Sequence, residues 1–405
     1  MELLLRDLSG SHEAKNHAIS LASQLATIYL QAKRDMMTSP NTLTLLCAIL
    51  LWLPLALYFT IFHHPSATSA AVSRKWMNFS PPPPSVDDPD DMDLFNRASQ
   101  ADPYPTRPGK KIAFLFMTTT PLYLAPLWEL FFNQSGARGK YNIYIHADPW
   151  FKYNNPPFTG VFSDRVIPSS KPTSRNTPTL IAAARRLLAH ALLDDSANDV
   201  FTLLSPTCIP LHSFSFTYRT LVTSTRSFIE ALKNEATAEA RWAVYGNNTM
   251  LPEVGLDQFR IGSQFWCLRR RHARMVVEDV RLWKKFRLPC KTRDACFPEE
   301  SYFPTLLTML DPNGVVPATL THVNWQAVED EEGHPYTYSG YEVGPKLIRW
   351  LRESRPKYGD LGINGSDMLV RGRRDPFLFA RKFAPNCLES LMSLANNVLF
   401  TDQDT

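Results

Sequence analysis

Two adjacent carboxylates, Glu299 and Glu300, follow Pro298 at what the pattern predicts is the start of a helix, just after the short polar loop Lys291 to Ala295. Acids placed there can take a proton from a hydroxyl as general base, or can simply complement the positive end of the helix dipole; the residues alone leave both readings open. A basic pair, Arg381 and Lys382, lies in the stretch Phe377 to Phe383. It can neutralise a phosphate, and it can equally be a solvated turn. His146 and Asp148 close a predicted strand, where a nucleotide would sit in an open α/β sheet. A metal-assisted reaction would want an Asp-x-Asp pair at such a position. The pair with that spacing, Asp91 and Asp93, precedes the first core strand and reads as a solvated acidic patch, so no metal ligand is assigned. Trp325 offers an apolar ring face of the kind that meets the C–H side of a pyranose, with a buried core tryptophan as the alternative.

Such side chains need a rigid frame. Lys110 to Met117 reads as a buried strand, Leu122 to Phe132 as an amphipathic helix, and Tyr141 to His146 as a second strand. Helical spacing over Thr179 to Leu193, a short apolar strand over Val200 to Leu204 and another helix over Phe214 to Val222 continue the alternation. Phe265 to Leu268 and a helix after Arg269 extend it, and the last third is irregular before Leu388 to Leu399. Alternating strands and helices imply an α/β sandwich with a largely parallel central sheet and ligands at the carboxyl ends of its strands.

The first hundred residues have a different character. Leu43 to Phe62 runs twenty residues without a charged side chain, long enough to cross a bilayer as a helix, and the forty-two residues before it argue for a retained anchor over a cleaved leader. From residue 63 to 109 the chain is rich in proline, serine and aspartate and reads as an extended stem. The organisation expected is thus an N-terminal cytoplasmic arm (1–42), a transmembrane anchor (43–62), a stem (63–109) and one catalytic domain (110–405). Basic residues flank the anchor evenly, but Asn-x-Ser/Thr acceptor sites for N-glycosylation occur at Asn78, Asn133, Asn247 and Asn364, all after it, which places the C-terminal side in the lumen. Five cysteines lie on that side; Cys290 and Cys296, flanking one short loop, are the expected disulfide in an oxidising compartment. A net charge of +4 over 405 residues is too small to argue for a nucleic-acid partner.

Several blocks resemble plant members of the core-2/I-branching N-acetylglucosaminyltransferase family, glycosyltransferase family 14. They are KIAFLFMTTTPL (111–122), YIHAD (144–148), LLSPTCIPLHSFSFTY (203–218), GSQFW (262–266), WKKFRLPCKTRDACFPEESYFPTLL (283–307), THVNW (321–325) and FLFARKF (377–383). The resemblance implies a GT-A-like nucleotide-sugar fold in a single-pass type II Golgi membrane protein. It implies an inverting, metal-independent transfer from a UDP-sugar, carrying N-acetylglucosamine or glucuronic acid, to a hydroxyl of a glycan or glycoprotein such as those of the cell wall. The UDP-sugar is then a substrate, and no cofactor is expected. Glu300 matches the family's catalytic glutamate and Lys382 its phosphate-binding lysine, with Arg381 beside it; Glu230 and Arg241 match acceptor contacts, and Trp325 stands where a ring could stack on a sugar. Arg175-Asn176 stands where the family usually carries a tryptophan-glycine pair, and the helix AAARRLLAHAL (182–192) lacks the acid that usually precedes the arginines. Around Met368 to Arg374, a second phosphate-binding arginine cannot be picked from Arg371, Arg373 and Arg374. The competing expectations are a Golgi glycan-binding or scaffold protein of the same fold without turnover, and a membrane-tethered lectin without affinity for UDP.

Overall fold

The computed structural model describes residues 88–325, 334–361 and 370–402. The apolar run 43–62, the proline run 81–84, Asn78 and Asn364 lie outside the described residues. The first element, α1 (Pro89–Ser99), falls inside the stretch whose composition reads as stem. Asp88, in extended conformation, caps it by accepting the Asp91 amide, and Pro89 occupies the first helical turn, where a missing N–H costs nothing. One face buries Leu94 and Ala98. Asp91, expected in a solvated acidic patch, is buried too, and its carboxylate accepts Nε and Nη2 of Arg186 at 2.7 and 2.5 Å. The stem boundary at 109 is thereby corrected: from Asp88 onward the chain is already part of the folded domain. Asp91 also supplies, from outside helix 182–192, an acid for one of its two arginines, Arg186.

A continuous apolar run makes β1 (Lys111–Thr118), and both of its faces are covered. Ile112, Phe114 and Phe116 face one core, and Ala113 and Leu115 the other, as the two-residue period of a strand requires. Below the first face packs α2 (Ala125–Phe132), whose Trp128, Phe131 and Phe132 surround Phe114 with ring centroids 5.0–6.3 Å apart. Next come β2 (Tyr141–Ala147), α3 (Thr179–Asp194) and β3 (Asn198–Leu204). Helix α3 covers the second face with Ile181, Leu187 and Leu188. Its Arg185 is buried as well: it donates to the carbonyls of Val276, Val277 and Asp279 and lies 4.6 Å from the Phe95 ring.

The chain continues through β4 (Ile209–Pro210), α4 (Phe214–Thr223), β5 (Ser227–Phe228) and α5 (Ala238–Ala243), then β6 (Cys267–Arg269) and α6 (Arg270–Glu278). It proceeds by α7 (Trp283–Phe286), α8 (Tyr302–Leu310), β7 (Val315–Val316), β8 (Thr321–Val323), α9 (Pro345–Glu353), β9 (Phe379–Arg381) and α10 (Leu388–Leu394). Six strands form one sheet in the order β2-β1-β3-β6-β5-β7, and β4-β9-β8 form a second. The first sheet is a mixed one, parallel over β2, β1 and β3. Strand β6 breaks the parallel run, pairing antiparallel with both β3 and β5. The chain enters β6 from the carboxyl end of β3 instead of crossing over a helix to its far end. The architecture is a layered α/β fold with a parallel-rich sheet, consistent with a GT-A-like domain. Among the described residues no helix is long and apolar enough to cross a membrane.

Candidate active site

Strand direction brings the chemical residues to one edge. β1, β2 and β3 run parallel, so Thr118, Asp148 and Ser205 lie together at their carboxyl ends, and the Asp148 amide donates to the Thr118 carbonyl at 2.9 Å. Being antiparallel to β6, β5 points the same way as β3 and delivers Glu230, two residues past its end, to that edge. Segment 262–266 arrives at the same edge on its way into β6; the Leu203 amide donates to the Trp266 carbonyl at 3.1 Å. The end of β9 joins it as well, where the Phe383 amide donates to the Thr207 carbonyl at 3.0 Å.

Glycine 262 stitches two of these segments together. Its amide donates to the Glu300 carbonyl at 2.7 Å, and a β-carbon there would stand 1.9 Å from the Glu230 carbonyl oxygen, so only glycine permits the approach. Glu300 itself ends a single 3₁₀ turn, Pro298–Glu300, that leads into α8. Its Oε2 accepts from Nη1 of Arg241 at 2.7 Å. Arg241, on α5, is held in turn by the ring of Phe297, 4.7 Å from its guanidinium. Neither side chain of the pair is sealed off, with 26% of Glu300 and 18% of Arg241 exposed. Among the described residues Oε1 of Glu300 accepts no hydrogen bond, so one oxygen is oriented by arginine while the other can meet an incoming hydroxyl.

Two further acids crowd this carboxylate, and burial keeps both in their neutral forms more readily than usual. Glu299 is only 4% exposed; burial, and then the charge of Glu300, push its carboxyl up to about 8. Its Oε2 has no hydrogen-bond partner among the described residues. The Glu230 carboxyl is pushed up to about 7 by burial, with Glu300 and Glu235 adding to the shift, against Lys357 and the Ser263 amide. Of Glu230, Glu299 and Glu300, therefore, Glu300 is the one with an arginine partner and an open face.

The basic pair lies where β9 ends. Arg381 packs its guanidinium 4.4 Å from the Phe265 ring, and burial lowers its pKa, with the Glu300 charge opposing the shift and the Arg175 charge adding to it. Lys382 is partly exposed, and its carbonyl accepts the Tyr338 amide at 2.9 Å. Trp325 stands two residues past Val323, the partner of Arg381 in the β8/β9 register, and 55% of it is exposed; the buried-tryptophan alternative is thus set aside. His146 and Asp148 sit at the edge but are built into it. Asp148 is buried and accepts the Trp150 amide on one oxygen and the Thr173 amide and hydroxyl on the other (2.7–2.8 Å). His146 accepts the Lys171 amide on Nε2 at 3.2 Å, and burial, with the Arg186 charge, depresses its pKa to about 3. Both residues therefore hold the loop 169–175 in place, and a nucleotide would meet that loop before it met them.

That loop carries Arg175, whose guanidinium is 6.0 Å from the Phe297 ring, and Asn176, which adopts a left-handed φ of 61°. Asparagine tolerates this conformation better than other non-glycine residues, which suits Asn176 to a position where glycine is the usual choice. Sequence reasoning missed Phe265 and Phe297 as platforms for the arginines; an aromatic residue inside the GSQFW block and another just before PEE were the available signal. Cys290 and Cys296 are joined in a disulfide just before the Glu300 turn, while Cys208, Cys267 and Cys387 are buried free thiols. Asn133 and Asn247 are exposed. Among the described residues no group of three or more His, Cys, Asp or Glu side chains is arranged to hold a metal.

Two likenesses bear on this geometry. The family described as "Core-2/I-Branching enzyme" matches residues 112–352, which take in Glu230, Arg241, Glu300 and Trp325 and stop short of Arg381 and Lys382. The chain is also similar to the glycosyltransferase BC10 of Oryza sativa subsp. japonica, 30% identical over 308 residues, covering 69% of this chain and 75% of that protein.

Proposed function

The chain belongs to the core-2/I-branching enzyme family and is a glycosyltransferase, and from that premise we propose that it transfers a sugar with inversion, using Glu300 as base and no metal. The observation that carries this reading is the Arg241–Glu300 pair at 2.7 Å, set at the sheet edge where Glu230, Arg381 and Lys382 also arrive. The acceptor hydroxyl attacks the anomeric carbon, its proton passes to Glu300, and the bond between that carbon and the diphosphate oxygen breaks, leaving UDP. The charge gathering on UDP is met by Arg381, held against the Phe265 ring, and by Lys382 beside it. Arg241 and Glu230 position the acceptor, with Trp325 offering a ring face to it. The donor carries N-acetylglucosamine or glucuronic acid and the acceptor is a glycan or glycoprotein hydroxyl. Residues 43–62 anchor the chain as a single-pass type II protein of the Golgi membrane.

The roles of Glu300 and Lys382 separate kinetically. A base acts only as the hydroxyl ionises, so Glu300→Gln lowers kcat about a hundredfold or more and leaves UDP affinity unchanged. Lys382→Ala removes a charge that touches the ground-state diphosphate, so UDP affinity falls by about 1.5–3 kcal/mol. Single-turnover transfer together with UDP titration of both variants measures the split; a Glu300→Gln enzyme with more than about a tenth of wild-type kcat would remove Glu300 from the role.

A further inference from the structure

An open cavity of about 550 Å³ lies between α4, α9 and the C-terminal turn after α10, lined among others by His212, Phe216, Arg349, Arg352, Arg355 and Pro376. It is separate from the edge that carries Glu300. Strand β4 runs antiparallel to β9, so His212, two residues beyond β4, sits beside the start of β9, whereas Arg381 and Lys382 sit at its end. Pro376 and Arg381 are five residues apart in extended chain, about 16 Å.

The charges around the cavity are unevenly spent. Arg352 is committed: it donates to the Val398 and Leu399 carbonyls and pairs with Asp402. Asp402 in turn accepts from Nδ1 of His212 at 2.8 Å and from the Ser213 amide, so this acid is used up as well. Arg355 has one terminal nitrogen on the carbonyls of Arg352 and Ser354 at 2.8 Å, with its remaining N–H groups available. Arg349 is exposed and makes no ion pair or hydrogen bond among the described residues, and Glu353 is the acid left beside it.

His212 adds a requirement of a different kind. It is 5% exposed, and its Nε2 has no partner among the described residues. Nδ1 faces the Asp402 carboxylate and so carries the ring proton; burial lowers the pKa of the ring, and in the neutral form Nε2 is a bare acceptor that wants an O–H or N–H. A ligand fitting the cavity thus brings an anion for Arg349 and Arg355 and C–H surface for Phe216 and Pro376, with the His212 ring as the polar wall behind them. We propose that this cavity is a second carbohydrate site that holds an acidic sugar residue, a hexuronate within a glycan, away from the reacting centre. It rests on the acceptor being a glycan, and it would anchor a distant part of that acceptor.

Titration calorimetry of the full-length chain with α-1,4-linked trigalacturonate tests this, and it reads the cavity whether or not turnover with any donor is found. Saturable binding is expected, at least tenfold weaker for the neutral trisaccharide maltotriose. Arg349→Glu and Arg355→Gln should each weaken it at least fivefold and leave UDP affinity unchanged. Arg349 is exposed and has no hydrogen bond or ion pair among the described residues to lose on substitution, so its variant is expected to keep the fold. Equal binding of maltotriose, undiminished binding in both variants, or displacement of trigalacturonate by equimolar inorganic phosphate would each overturn the assignment to an acidic sugar.

Discussion

At the scale of single residues, the site is set by which acid keeps a partner. Glu300 has Arg241; Glu299 and Glu230 have burial and a charged neighbour, and their carboxyls stand at about 8 and about 7. A consequence for stability follows. The ordinary value for Glu299 is 4.5, so between pH 4.5 and about 8 the folded chain retains a proton that the unfolded chain has released. Stability contributed by that proton is present below pH 4.5 and is lost as pH rises to about 8. Glu299→Gln removes this dependence, so urea midpoints of the variant should gain on wild type between pH 5 and pH 8, while the slope common to both belongs to Glu230 and the buried histidines. A variant whose midpoints track wild type over that range would show Glu299 to be ionised in the fold. The residue types of this site were legible beforehand: the double acid, the basic dipeptide and the exposed tryptophan are all at the edge. Burial was not legible. Nothing in the string PEE says which glutamate turns inward, and nothing in YIHAD says that Asp148 is consumed by the Thr173 amide and hydroxyl.

At the scale of elements, strands β1, β2 and β3 were readable because each is a short apolar run bounded by turn residues and alternating with helical patterns. The short strands β5, β7 and β8 were not, since two or three residues carry no period. Helix α1 shows a different failure. Its proline and aspartates read as stem composition, yet Asp88 as cap, Pro89 in the first turn and the spacing of Leu94 and Ala98 are a helix-start signature followed by one apolar face. The docking of α1 depends on a buried ion pair, Asp91 with Arg186, whose side chains are 9% and 3% exposed. Asp91→Ala leaves the Arg186 charge buried without its partner and is expected to destabilise the domain by about 3–5 kcal/mol in denaturant unfolding. A loss under about 1 kcal/mol would mean that α1 is not held on the domain in solution.

For the whole molecule, the orientation proposed for the chain rests on sequons placed after residue 62 and none before residue 43. A reporter Asn-x-Thr site fused upstream of Leu43 should stay unmodified in cells, while the exposed Asn133 and Asn247 carry glycan; glycan on the upstream reporter would reverse the topology. The two sheets meet at one edge, which gathers Glu300, the arginine that orients it and the basic pair Arg381–Lys382 from three separate stretches of chain. That convergence depends on strand direction, which is why the blocks could be named from sequence and their meeting point could not. The most direct test is acceptor-dependent UDP release by the full-length chain from UDP-N-acetylglucosamine and UDP-glucuronic acid, with and without EDTA, beside the Glu300→Gln variant. Release that requires a glycan acceptor, persists in EDTA and disappears in Glu300→Gln is the expected result; release abolished by EDTA and restored by manganese, or equal in wild type and variant, would contradict it.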